Sequence, residues 1–175
     1  GYIVACVDNR GTGGRGEAFR QSTYANLGKL ETQDQIEVAK YLGGLPYVDK
    51  LRIGIHGWSY GGYMAALCMT VGADYFKMGI SGAPVTTWRF YDTIYTERYL
   101  KRPQDNAAGY DDNSPVTHAG KLKGKFLLVH GTGDDNVHFQ NSVALQQELI
   151  NQGKQFETFV YPNQAHGVRG RSRLH

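Results

Sequence analysis

Leu51-Arg52-Ile53-Gly54-Ile55-His56-Gly57-Trp58-Ser59-Tyr60-Gly61-Gly62-Tyr63-Met64-Ala65-Ala66-Leu67-Cys68 changes character at its middle. Residues 51–55 form a short apolar run that reads as a buried strand. From 63 to 71 the chain is apolar all round, as a buried helix is. Between them stands Gly57-Trp58-Ser59-Tyr60-Gly61, a G-x-S-x-G sequence extended by Gly62. In a strand–turn–helix setting this is a nucleophile elbow. The turn is tight enough that Ser59 is expected in strained backbone angles. Gly57 and Gly61 supply the small neighbours where strand and helix nearly touch. The hydroxyl then stands at a helix N-terminus, where the dipole and the Tyr60 N–H face developing negative charge. Motif and context together set aside an incidental serine in a glycine-rich turn.

A serine is a weak nucleophile without a base, and the base needs an acid to hold it. In this architecture the chain order is Ser, then Asp or Glu, then His, each after a strand. The apolar run 126–129 leads into His130-Gly131-Thr132-Gly133-Asp134-Asp135, and the run 156–161 leads into Pro162-Asn163-Gln164-Ala165-His166-Gly167. Ser59, Asp134 and His166 are therefore the candidate catalytic residues, with Asp135 a rival acid that spacing does not separate from Asp134. The other five histidines, His56 and His130 among them, read as surface or packing residues.

Around these motifs, apolar runs alternate with helical patterns. Strands are expected at 2–7, 51–55, 78–81, 126–129 and 156–161, with helices at 31–42, 63–71 and 143–150. Such alternation needs crossover connections, and so predicts an α/β fold with a mostly parallel sheet covered by helices on both faces. The chain has 175 residues, 41% hydrophobic and 20% charged, with a net charge of +3. That is the composition of a globular domain, and the mixed signs give no basic face for nucleic acid. No apolar run approaches the roughly 20 residues of a membrane helix. Cys6 and Cys68 each sit in an apolar run and read as small buried hydrophobes. Residue 1 falls inside an apolar run and 171–175 has no helix stop, so both ends read as interior sequence of a longer protein.

Gly11, Gly13 and Gly16 spell G-x-G-x-x-G after the first apolar run, with Glu31 or Asp34 roughly 20 residues on, the pattern of a dinucleotide site. Three details oppose that reading. Asp8-Asn9-Arg10 separates run and glycine, no apolar helix follows Gly16, and the acids open a helix instead of closing a strand. A crossing loop with no cofactor is the better reading, and no metal site is expected.

From Gly57 to Gly62 the chain resembles the prolyl oligopeptidase family of serine peptidases. Asp8-Asn9-Arg10-Gly11-Thr12-Gly13, Trp88-Arg89-Phe90-Tyr91-Asp92-Thr93-Ile94-Tyr95-Thr96-Glu97-Arg98-Tyr99 and Asp134-Asp135-Asn136-Val137-His138-Phe139-Gln140 narrow the resemblance to its dipeptidyl peptidase IV subfamily, its bacterial members most. The resemblance implies an α/β-hydrolase serine exopeptidase that releases dipeptides with Pro or Ala in second position through an acyl-enzyme on Ser59. It implies that Tyr60, Val85, Trp88, Tyr91, Tyr95 and Val137 line the proline pocket. Flat aromatic walls suit a rigid five-membered ring without needing a charge. Read from the residues alone, the same stretch is more readily an aromatic packing cluster or a Tyr–Arg surface than a pocket. Asn136 would donate its side-chain amide to the substrate carbonyl before the proline, and the Tyr60 N–H would be an oxyanion donor.

The resemblance also implies parts that lie outside this chain. These are the first strands of the sheet, a helix after the histidine, a tyrosine oxyanion donor, and a β-propeller domain whose paired glutamates hold the substrate amino terminus. Residues 1–175 are then a partial catalytic domain. Gly133 and His56 depart from the family's usual Ala and Trp, away from the proposed chemistry. By the same resemblance the protein acts in the periplasm, at the cell surface or outside the cell, and leaves room for a homodimer. The alternatives are an endo-acting prolyl oligopeptidase, an acylaminoacyl peptidase or esterase of the same fold, or an inactive fragment.

Overall fold

In the computed structural model, which describes residues 2–174, four strands make one parallel sheet: β1 (Gly54–Trp58), β2 (Met78–Gly82), β3 (Lys125–Gly131) and β4 (Glu157–Tyr161). They lie side by side in chain order, with Gly54 opposite Met78, Gly79 opposite Phe126 and Val129 opposite Phe159. Helices α1 (Glu17–Gln21) and α2 (Lys29–Gly43) precede the sheet, and α3 (Tyr60–Thr70) joins β1 to β2. Between β2 and β3 come α4 (Thr93–Leu100) and α5 (Ala107–Asp111), and α6 (Gln140–Asn151) joins β3 to β4.

The expected strand at 51–55 begins three residues late, at Gly54. The Asp49 carboxylate accepts the Leu51 N–H at 2.9 Å and winds Lys50–Arg52 into a single 3₁₀ turn. The strand expected at 2–7 does not form. Tyr2, Ile3 and Val4 are 97%, 75% and 82% exposed, and Cys6 is exposed as well, against the expectation of a buried hydrophobe. A strand is stabilised only by the ladder beside it, and the run 2–7 pairs with no strand among the described residues. Cys68, on α3, is fully buried as expected.

Because each crossover steps to the adjacent strand in the same direction, every connecting helix falls on the same side of the sheet. Gly62 to Thr70 of α3 are buried over that side. Leu145 and Leu149 of α6 join Phe126, Leu128, Leu67 and Met69 in one core. Of the two faces expected to carry helices, the described chain covers one. The other presents Trp58, Met78 and Ile80, which are 40%, 47% and 36% exposed.

Candidate active site

The three candidate catalytic residues, Ser59, Asp134 and His166, stand beyond the carboxyl ends of β1, β3 and β4. Ser59 follows β1 with φ 60° and ψ −118°, the strained conformation expected of an elbow. The Ser59 N–H donates to the Gly82 carbonyl at 2.8 Å, tying the elbow to the end of β2. A side chain at Gly57 would overlap the backbone of Gly61, and one at Gly62 would overlap the Gly82 carbonyl. At Gly61 a side chain would meet only open space. Strand and helix do meet at Gly57 and Gly61, as the motif suggests, but a side chain is barred at Gly57 there and at Gly62 against the end of β2.

His166 Nε2 lies 2.9 Å from Ser59 Oγ, and His166 Nδ1 lies 2.8 Å from Asp134 Oδ2. With the carboxylate accepting, Nδ1 carries the proton and Nε2 is left to accept from the serine hydroxyl. Asp134 has a fully buried side chain, and its Oδ1 accepts the N–H groups of Asn136 and Val137 at 3.0 and 2.9 Å. Asp135 is exposed and points no hydrogen bond at His166, so geometry separates the rival acids in favour of Asp134. The loops bearing acid and base are laced together. Gly133 N–H donates to the Gln164 carbonyl at 3.0 Å, and Asn163 N–H to Thr132 Oγ1 at 2.8 Å. Trp58 adds a contact that sequence reading missed: its indole N–H donates to the His166 carbonyl at 2.8 Å.

Beside Ser59 the aromatic residues form one cluster. Trp88 stacks on Tyr95 with ring centroids 5.9 Å apart, and meets Tyr60 at 5.7 Å and Tyr91 at 6.0 Å. Val85, Trp88 and Val137 are buried, while Tyr60, Tyr91 and Tyr95 are partly buried against them. Tyr60, Trp88, Tyr91 and Tyr95 thus share ring contacts, while Val85 and Val137 belong to the buried core they pack against. Burial pushes the Tyr95 phenol up to about 12, and drives Tyr60 up as well with Glu31 adding to it, so both rings stay neutral. The wall is pinned by buried Asn141, whose Oδ1 accepts Thr86 N–H at 3.0 Å while Thr86 Oγ1 donates to its carbonyl at 2.6 Å. Asn136 is exposed, with its Oδ1 accepting the Tyr91 hydroxyl at 2.7 Å. Its side-chain NH₂ is then the group left to donate. As the first residue of α3, Tyr60 has an N–H with no helical acceptor.

Two carboxylates that a nucleotide reading would claim are engaged elsewhere. Asp34 is held by Arg10, whose Nε lies 3.0 Å from both its oxygens, and the pairing draws the Asp34 carboxyl below its ordinary range. Glu31 accepts the Tyr60 hydroxyl at 2.7 Å and the Gly28 N–H at 2.9 Å. No three His, Cys, Asp or Glu side chains gather as a metal would need among the described residues. His130, read as a surface or packing residue, is packed away but also hydrogen-bonded to the acid. It is 1% exposed, with Nε2 lying 3.1 Å from Asp134 Oδ2. Its position four residues before Asp134, on a strand that delivers the acid, was the available signal.

A parallel sheet with a strained serine between strand and helix, a histidine and a buried aspartate defines an α/β-hydrolase-fold protein with a serine elbow. The family model described as the prolyl oligopeptidase family matches residues 1–175, and the chain belongs to that family. It is 47% identical over 172 residues to a probable dipeptidyl-aminopeptidase B of Arthroderma otae, covering 96% of this chain and 19% of the relative. It is 45% identical over 173 residues to a probable dipeptidyl peptidase 4 of Aspergillus fumigatus, covering 96% of this chain and 23% of that protein. The crystal structure of Porphyromonas gingivalis dipeptidyl peptidase 4 superposes with a TM-score of 0.95 at 47% identity, covering 97% of this chain and 24% of that one. The chain therefore spans about a fifth to a quarter of the length of these relatives.

Proposed function

We propose that this chain carries the catalytic machinery of a serine exopeptidase that releases dipeptides with proline or alanine in second position. The observation that carries the reading is the continuous hydrogen-bonded chain from Ser59 through His166 to Asp134, next to the aromatic cluster around Trp88. In the forward step Ser59 Oγ attacks the scissile carbonyl while His166 Nε2 takes its proton, and the imidazolium is held by the Asp134 carboxylate. The oxyanion of the tetrahedral intermediate accepts the Tyr60 N–H. His166 then gives its proton to the departing amine, leaving an acyl-enzyme on Ser59. Water, deprotonated by His166, attacks that ester and releases the dipeptide.

Specificity follows from shape. A proline pocket walled by Trp88, Tyr91, Tyr95 and Val137 would reward the burial of a flat ring or a methyl group and reject longer or charged side chains. The Asn136 amide is the donor for the substrate carbonyl one residue earlier. Recognition of the free amino terminus is assigned to a β-propeller domain of a longer protein, in keeping with the greater length of the relatives. The test is fluorophosphonate labelling together with turnover of a Gly-Pro anilide by the full-length protein. Labelling should disappear in Ser59→Ala and fall strongly in His166→Ala. A Ser59→Ala protein that is still labelled overturns the assignment, and preference for a blocked over a free amino terminus would favour an endo-acting relative.

A further inference from the structure

The surroundings of His130 fix a hydrogen on one of its ring nitrogens. Its Nε2 lies 2.8 Å from the Val137 carbonyl oxygen and 3.1 Å from Asp134 Oδ2, and both of these only accept. Nε2 must therefore carry hydrogen. Its Nδ1 lies 2.6 Å from Ser142 Oγ, the first turn of α6. A neutral ring with hydrogen on Nε2 has a bare lone pair at Nδ1, which the Ser142 hydroxyl fills as donor. The Phe139 ring closes the edge-on side, with centroids 5.5 Å apart. This is the opposite tautomer to that of His166, which carries its hydrogen on Nδ1.

We propose that His130, set by Ser142, is a positioning residue that fixes the Asp134 carboxylate for His166. The inference rests on the reading of Ser59, His166 and Asp134 as the catalytic set. Asp134 Oδ1 is held by two backbone N–H groups, which alone would let the carboxylate pivot about that oxygen. The His130 Nε2–H, shared between the Val137 carbonyl and Asp134 Oδ2, adds a contact at the same oxygen that accepts from His166 Nδ1 and so restrains the carboxylate plane. Among the described residues the His130 ring hydrogen-bonds to Ser142, Asp134 and the Val137 carbonyl and not to Ser59, and so it acts through Asp134 and the Val137 carbonyl. Burial also holds the ring below its ordinary value, in the neutral form this role needs. Of the groups facing it, Asp134 opposes that shift and His166 reinforces it.

The experiment measures Gly-Pro anilide turnover by the full-length protein with His130→Phe, His130→Gln and Ser142→Ala, beside Ser59→Ala. Phenylalanine keeps a buried ring and deletes the donor, whereas glutamine returns an N–H close to the place of Nε2. A hydrogen bond to a charged group is worth enough to change a rate about tenfold. His130→Phe should lower kcat about tenfold or more with KM within about twofold, and His130→Gln should recover a large part of the loss. Ser142→Ala should lower kcat by a smaller factor. A folded His130→Phe protein with unchanged kcat overturns the proposal, as does a loss that glutamine does not relieve. If His130→Phe does not fold, nitrogen NMR of the unsubstituted protein decides: a protonated Nε2 with a bare Nδ1 supports the proposal, and a protonated Nδ1 overturns it. Ser59→Ala that retains turnover would instead bring down the underlying assignment, and so the two failures are distinguishable.

Discussion

The Glu31 carboxylate is buried between the Tyr60 hydroxyl and the Gly28 N–H, and burial raises its proton affinity above the ordinary carboxyl value of 4.5. The two hydrogen bonds oppose that rise without cancelling it. Because the folded state holds the proton more tightly than the unfolded chain, this group's contribution to stability is fully present below about pH 4.5 and is lost as pH rises through the folded value. Replacing the carboxylate separates charge from hydrogen bonding. Glu31→Gln can still accept from Gly28 and can donate to the Tyr60 oxygen, and should stay within about 1 kcal/mol of the parent. Glu31→Ala strands the partly buried Tyr60 hydroxyl and should cost about 1–3 kcal/mol. Urea unfolding of the two variants at neutral pH checks the order.

His130 gives the opposite sign. Its affinity for a proton is lowered by burial, so as pH falls through the ordinary histidine value of 6.5 the unfolded chain takes up a proton that the folded chain refuses. Stability is lost in that direction. The difference in urea midpoint between about pH 7.5 and about pH 5.5 should shrink in His130→Gln, which has no ring to titrate there. An unchanged difference would place the acid sensitivity elsewhere. From sequence, His130 is one of five histidines without a role, because its place four residues before Asp134 does not by itself show a residue that acts through that acid.

At the scale of elements, the strand–elbow–helix unit from β1 to α3 was legible in sequence because its chemistry is local. A glycine-rich turn between an apolar strand and an all-apolar helix allows few alternatives. Which glycines the close packing requires was not legible, since that depends on where β2 ends. Gly62→Ala drives a methyl into the Gly82 carbonyl and should destabilise by at least about 2 kcal/mol. Gly61→Ala meets open space within a helix and should be neutral or stabilise by up to about 1 kcal/mol, although the motif names it. Thermal unfolding of the pair tests this, and a Gly61→Ala protein as damaged as Gly62→Ala would refute the geometry. The run 2–7 fails for the reverse reason: its β-branched residues suit a strand, but a strand is a property of two segments, and sequence periodicity reports only one. The acid and the base were legible because strand order and chain order coincide in this sheet, which puts both loops at the same edge as the elbow.

For the whole molecule, the single-sided covering of the sheet follows from topology and not from composition. Four parallel strands in chain order place α3 and α6 on one face, and the opposite face is left with Trp58, Met78 and Ile80 in contact with water. The sequence reading expected both faces covered because alternating strands and helices usually achieve that when the strand order reverses within a sheet, and here it never does. Exposed apolar side chains on adjacent strands form a surface that takes up hydrophobic dyes. The 175-residue chain should therefore bind anilinonaphthalene sulfonate with enhanced fluorescence at neutral pH while keeping its near-ultraviolet circular dichroism. Ile80→Lys combined with Met78→Lys should reduce dye binding several-fold and leave the dichroism intact, since neither side chain belongs to the core beneath α3. Loss of the dichroism in that double variant would mean that the face is covered and structural, and the one-sided packing would have to be abandoned. Trp58 supplies an internal check. It lies across Gly82 on the open face, whereas Trp88 is 1% exposed, so iodide should quench the Trp58 fraction of the emission and leave the Trp88 fraction in place.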